Sequence, residues 1–225
     1  MVNHYKMPLP ASYFFLYNIM MKNLPSTLPV FPLSGVIYFP KTNLPLNIFE
    51  QRYLNLVNDA YNGDKLMGMV QSKKESGSVY QVGCLGKISD YQKSKDGRIL
   101  INLTGISRFK ILEEISNDKL YREFKVDYKD FNEDNIETND LIDTKPLMES
   151  AKNFFKRNGL LLNWKEFEKL DQSQKINTLA MIAPITNEEK QKLLESISLK
   201  NKVETLESII SFYLHETNFN NQTVQ

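Results

Sequence analysis

The sequence predicts an α+β chain: a β-rich, partly closed barrel carrying one helix, followed by a helical bundle. Two observations lead there. Eight of the nine glycines and seven of the nine prolines precede residue 106, and beyond Phe131 only Pro146, Gly159 and Pro184 remain. Turn-rich sequence followed by turn-poor sequence segregates strands from helices instead of alternating them. The second is periodicity, which runs as short strand-like stretches up to Tyr128 and as three- and four-residue apolar spacing after Pro146.

Composition bounds the function. A chain of 225 residues with 41% hydrophobic and 24% charged content fills one large or two small globular units. Twenty-eight Lys and Arg against 27 Asp and Glu leave a net charge of +1. That balance argues against a dedicated nucleic-acid partner, which needs cationic excess to neutralise phosphates. Cys84 is the only cysteine, so neither an intrachain disulfide nor a multi-cysteine metal site is expected. Residues 1–27 read as a tail, or as a start placed too early, with Met20 or Met21 the true beginning. Their apolar segment, Tyr13 to Met21, is interrupted by Asn18. It is far shorter than the ~20 residues of a membrane span, and it lacks the flanks of a signal peptide. A cytoplasmic protein with no membrane partner is the expectation.

Residues 28–53 hold Pro29, Pro32, Pro40 and Pro45 beside aliphatic and aromatic residues. Proline removes a ladder donor, so this run reads as short extended edge pieces turning at Ser34-Gly35 and 41–43. A helix is predicted over 50–61, with Phe49, Tyr53, Leu56, Val57 and Ala60 on its apolar face and Asn62-Gly63 as its stop. Strands are predicted at 66–71, 80–91, 99–104, 107–115 and 121–128. Asp96-Gly97 marks a tight hairpin, since the turn requires φ > 0. Ile99, Ile101 and Leu103 alternate with Leu100, Asn102 and Thr104, burying one face more than the other. The barrel is therefore placed at 28–131. The acidic stretch 132–140 reads as a solvated linker, and it lacks the central glycine and terminal glutamate of an EF-hand loop.

The bundle is placed at 141–217, with a tail at 218–225. Leu147, Ala151, Phe154 and Phe155 share one face of a helix that Pro146 starts and Gly159 stops. A short helical piece follows at 164–170. Asp171 caps a helix at 173–182 and Thr186 or Asn187 caps the next, whose inner face holds Leu193, Leu194 and Ile197. The last helix carries a stripe of Leu199, Val203, Leu206, Ile210 and Tyr213.

Residues of catalytic type form no working constellation. His4 and His215 have no nucleophile nearby, and His215 near a helix C-terminus reads as a dipole-friendly surface residue. Cys84 falls inside an apolar strand, where a thiol acts as a small buried hydrophobe. Gly83 to Ile88 (GCLGKI) fails as a phosphate loop, because its glycines are too close and Ile88 replaces the hydroxyl. Glu50, Arg52 and Arg108 read as one internal ion-pair or hydrogen-bond set holding helix and strands together. No catalytic, cofactor-binding or metal-ligating residue is assigned.

An ordered set of motifs resembles the Lon protease N-terminal, substrate-binding domain family. It comprises Pro29-Val30-Phe31-Pro32-Leu33, Tyr38-Phe39-Pro40, Leu44-Pro45-Leu46 and Ile48-Phe49-Glu50-Gln51-Arg52-Tyr53, then Asp59-Ala60 and Asp64 to Gly68. Later come the Gly83 to Ile88 strand, Asp96-Gly97-Arg98, Leu103-Thr104-Gly105-Ile106-Ser107-Arg108-Phe109, Met181 to Pro184 and Glu188 to Leu194. The likeness spans about 28–214. It implies a PUA-like pseudo-barrel and a module that selects proteins without chemistry of its own. In full-length Lon an ATPase and a serine–lysine protease follow this region. The sequence has neither motif and reads as a standalone copy lacking both modules.

The expected function is thus a non-catalytic module binding unfolded or extended protein segments, with Met67 and Met69 as contributors to an apolar groove. An adaptor docking on a protease or chaperone is the alternative, and RNA binding by the PUA-like part a weaker one. Without the avidity of an assembled hexamer, binding is expected to be on the order of micromolar or weaker.

Overall fold

A computed structural model of the chain describes residues 24–73, 77–135 and 142–220. The predicted tail lies outside the described residues up to residue 23, as do the linker from 136 onward and residues 221–225. Six strands form one mixed sheet: β1 (Thr27–Leu33), β2 (Asn43–Ile48), β3 (Leu66–Gln71), β4 (Val82–Lys93), β5 (Ile99–Ile115) and β6 (Arg122–Asp127). Helix α1 (Gln51–Asn62) lies between β2 and β3. The strand order is β2-β5-β4-β3-β1-β6, and an added β5–β6 pairing closes the sheet on itself. Among the described strands only β1 and β3 pair in parallel.

Closure depends on β5, which is one strand and not the two pieces predicted. Its first part pairs with β2 and β4, and its last part with β6. Register shifts at Leu85/Gly86, Ile88/Asp90 and Ile111/Glu113 supply the bends that such a strand needs. Gly105 sits at its centre because a Cβ there would collide with the carbonyl oxygen of Phe39. The Asp96-Gly97 hairpin joins β4 to β5 as expected, with Gly97 at φ 88°.

The prolines divide between two environments. β1 is not an edge piece: it pairs with β6 over Thr27 to Val30 and with β3 over Val30 to Leu33. Pro29 falls where only β6 is registered and Pro32 where only β3 is, so neither must donate on both sides. β2 is an edge as predicted, since it pairs with β5 alone. Helix α1 also differs from expectation at its ends. It begins after Glu50, so Phe49 lies outside its apolar face and is 67% exposed. The left-handed residue after the helix is Lys65 (φ 65°), not Gly63.

Past a 3₁₀ turn at Lys129–Asn135 come the helices α2 (Lys145–Arg157), α3 (Trp164–Phe167), α4 (Gln172–Ile182), α5 (Asn187–Glu195) and α6 (Leu199–Asn220). Asp171 and Thr186 each close a capping box, with Gln174 and Glu189 as reciprocal partners. The bundle core gathers Leu147, Ala151, Phe154, Phe155, Leu193, Val203, Leu206 and Ile210. Ile37, Phe39, Val82 and Phe131, which precede the helices in sequence, belong to that same core. The barrel holds two further clusters, one around Leu56, Met67, Ile99 and Leu103 and one around Leu28, Leu85 and Phe109.

Candidate functional site

Two regions gather the polar and exposed apolar residues that bear on function: a buried joint between barrel and bundle, and an open strand edge on the outer surface. The joint is built on Arg108, which β5 holds with a side chain only 2% exposed. Its Nε and Nη2 donate to the Asp134 carboxylate at 2.7–3.0 Å, and its backbone N–H donates to the same group at 2.9 Å. Nη1 donates to the carbonyls of Leu194 and Ser196, and Nη2 to that of Ile197. These lie at and just beyond the C-terminus of α5, where orphan acceptors favour a cation. The guanidinium also lies 4.4 Å from the centre of the Phe131 ring.

Lys202 of α6 lies in the same joint and is 2% exposed. Its Nζ donates to Asn177 Oδ1 at 2.7 Å, and Asn177 Nδ2 donates to the Pro40 carbonyl at 2.9 Å. Burial lowers the Lys202 ammonium to about 7; the nearby Arg108 adds to that, while Asp134 and Cys84 oppose it. Lys41 completes the contact, reaching Ser173 Oγ at 2.8 Å and Asp171 at the start of α4.

The predicted set of Glu50, Arg52 and Arg108 is therefore split. Glu50 and Arg52 pair with each other at 2.9 Å in solvent, on the outer surface. Arg108 finds its partner in Asp134, from the stretch read as a solvated linker. Met67 and Met69 also depart from expectation: both are buried in the barrel core and line no groove. Cys84 is buried too, and burial pushes its thiol well above the ordinary range. His215 is exposed on α6, while His4 lies outside the described residues. Among the described residues no three His, Cys, Asp or Glu side chains gather to hold a metal ion, and no helix is long and apolar enough to cross a membrane.

The open edge belongs to β2. Lys41, at φ 61°, donates its N–H to the Gly105 carbonyl at 2.9 Å, and Gly105 returns its own N–H to Thr42 at 2.9 Å. That bulge fixes the alternation downstream. Leu44, Leu46 and Ile48 direct their backbone groups to β5, while Asn43, Pro45 and Asn47 direct theirs outward. On the outer face of this ladder Asn47 stands opposite Leu100, which is 42% exposed. Phe49, 67% exposed, follows directly on Ile48, the last residue of β2, which is registered with Ile99 beside Leu100. Sequence reasoning missed this pair because Phe49 sits at a helical interval from Tyr53 and so reads as core.

A closed mixed sheet followed by a five-helix bundle is an architecture with solved counterparts. The Lon N-terminal domain protein from Xanthomonas campestris is similar at a TM-score of 0.60 and 23% identity, covering 81% of this chain and 97% of that one. The N-terminal domain of the Mycobacterium avium complex Lon protease gives 0.62 and 15%, covering 82% and 98%. At these identities the likeness establishes the fold. In sequence, the family described as the ATP-dependent protease La (LON) substrate-binding domain matches residues 27–211. The chain belongs to that family. Among curated relatives it is 24% identical to the Lon protease of Dictyoglomus thermophilum over 205 residues and 27% identical to that of Syntrophus aciditrophicus over 210. It spans about a quarter of their length, 25% and 26% respectively, and 86% and 85% of its own.

Proposed function

We propose that the chain is a non-catalytic recognition module that holds extended or unfolded segments of other proteins. The family to which it belongs supports this, being matched through its substrate-binding domain. The observation that favours it most is the uncovered pair Phe49 and Leu100 beside an unpaired strand edge. Apolar side chains exposed next to unpaired main-chain groups suit an extended partner, which uses both. The ionisable groups of the joint are spent on one another, on backbone carbonyls and on neutral side chains (Asn177, Ser173), which is a structural use of charge.

Within this reading the barrel is taken as 28–131, the linker as 132–140 and the bundle as 141–217, with Asp134 a fixed anchor inside the linker. A cytoplasmic setting belongs to the same proposal, since the only cysteine is buried and unpaired and no bond here requires an oxidising compartment. Binding by the single module is expected on the order of micromolar, about −8 kcal/mol.

Titration of a fluorescently labelled, reduced and alkylated model protein tests the reading by anisotropy. Saturable binding to this chain, with the folded parent of that model protein left unbound, supports it. Equal affinity for the folded parent would favour an adaptor that docks on folded partners. A stronger, salt-sensitive response to RNA at low ionic strength would favour the nucleic-acid alternative.

A further inference from the structure

We propose that the outward edge of β2, from Asn43 to Asn47, receives an extended segment of another polypeptide as an added antiparallel strand, with Phe49 and Leu100 packing against its side chains. This rests on the recognition role proposed above and names how the partner is held.

The edge offers five backbone groups in strand geometry: the N–H and C=O of Asn43, the C=O of Pro45, and the N–H and C=O of Asn47. Their direction follows from the bulge at Lys41, Thr42 and Gly105 and from the register Leu44↔Leu103, Leu46↔Ile101 and Ile48↔Ile99. Among the described residues β2 pairs with no strand but β5, and Pro45 and Asn47 are both exposed, so none of the described residues covers the middle of the edge. Thr104 Oγ1 donates to Asn43 Oδ1 at 2.8 Å, anchoring the start of the strand to β5.

The occupant follows from Pro45. A second copy pairing edge to edge would do so about a two-fold axis, and the register that uses the whole edge places Pro45 against Pro45 of the other copy. Neither donates, two ring methylenes face each other, and only the bonds at Asn43 and Asn47 remain. A different segment, with an ordinary residue opposite Pro45, donates to the Pro45 carbonyl and restores the fifth bond. Proline on an edge strand is a common guard against self-association. Here it leaves enough acceptors for a foreign strand, whose main chain supplies affinity with little demand on its sequence. Apolar residues on that strand that share the outer face with Leu100 meet Phe49 as well.

Hydrogen exchange of the full chain, alone and saturated with the reduced and alkylated model protein, reads the edge directly. The Asn43 and Asn47 amides should exchange rapidly alone and slow on binding, while Leu44 and Leu46, already bonded to β5, change little. In parallel, Asn47→Pro removes one outward donor and no ladder bond. It should weaken binding about three- to tenfold, the worth of one hydrogen bond, with an unchanged circular dichroism spectrum. Binding by the parent chain with Asn43 and Asn47 still exchanging rapidly would overturn strand addition and leave the recognition role standing. Should Asn47→Pro fail to fold, the exchange result on the parent chain decides. Absence of any binding by the parent chain would overturn both.

Discussion

Arg108 is the residue on which the two halves turn. It satisfies a buried carboxylate and three carbonyls beyond a helix end, so removing it strands an anion and several acceptors at once. Arg108→Met is expected to destabilise the chain by about 3–5 kcal/mol in urea unfolding, the cost of leaving a buried charge unpaired. A further change of Asp134→Leu should recover part of that loss, and a single-variant loss below about 1 kcal/mol would contradict the assignment. Lys202 gives a pH signature. Its folded value, about 7, lies below the ordinary lysine value, so the unfolded chain binds more protons between the two. Relative to Lys202→Met, the parent chain should therefore gain stability as pH rises from about 7 toward 10, with a slope of at most about 1.4 kcal/mol per unit. It should lose that gain as pH falls back, and a flat difference across pH 7–10 would refute it. Part of this joint was legible: a lone arginine within an apolar strand had to find a partner. Lys202 was not singled out in the sequence, although it falls between Leu199 and Val203 of the inner stripe of α6. Asp134 was not legible, because nothing local separates its carboxylate from its acidic neighbours in sequence.

At the scale of elements, helix caps and turns were the most legible features, because they depend on residues a few positions apart. Asp171 and Thr186 cap where the sequence places them. Thr186→Ala should cost about 1 kcal/mol in thermal or urea unfolding. Asp171→Ala should cost more, because Asp171 also lies 3.6 Å from Lys41 Nζ and so ties α4 to the bulge before β2. Equal costs would mean that this contact is worth nothing. Proline was read correctly on β2 and incorrectly on β1, and the reason is tertiary. A proline is excluded only where a ladder demands its donor, and β1 changes partner at Val30 between its two prolines. Phe49 misled for a related reason, since helical spacing says nothing about where the helix begins. The edge role of Pro45 has its own check. Pro45→Val supplies the missing donor and should shift sedimentation toward larger species as concentration rises.

Across the whole molecule, the barrel closes through the β5–β6 pairing, and the outward edge of β2 lies beside the exposed Leu100 and directly before the exposed Phe49. The bundle adds rigidity through the Arg108 and Lys202 contacts. Fold class and family motifs were legible in the sequence because glycine, proline and apolar spacing record local geometry. The proposed binding surface was not, because it is defined by what the described residues leave uncovered after the long strand β5 has bent. Methionines at 67 and 69 fill the interior for that same reason. On the proposed reading the module grips without chemistry. The most direct measurement of this is a titration of labelled, unfolded model protein with this chain, followed by intact-mass analysis of the client at saturation, with and without ATP. Saturation is expected on the order of micromolar, indifferent to ATP, with the client mass unchanged. A client cleaved or modified by the purified chain, or no saturation within hundreds of micromolar, would contradict that reading.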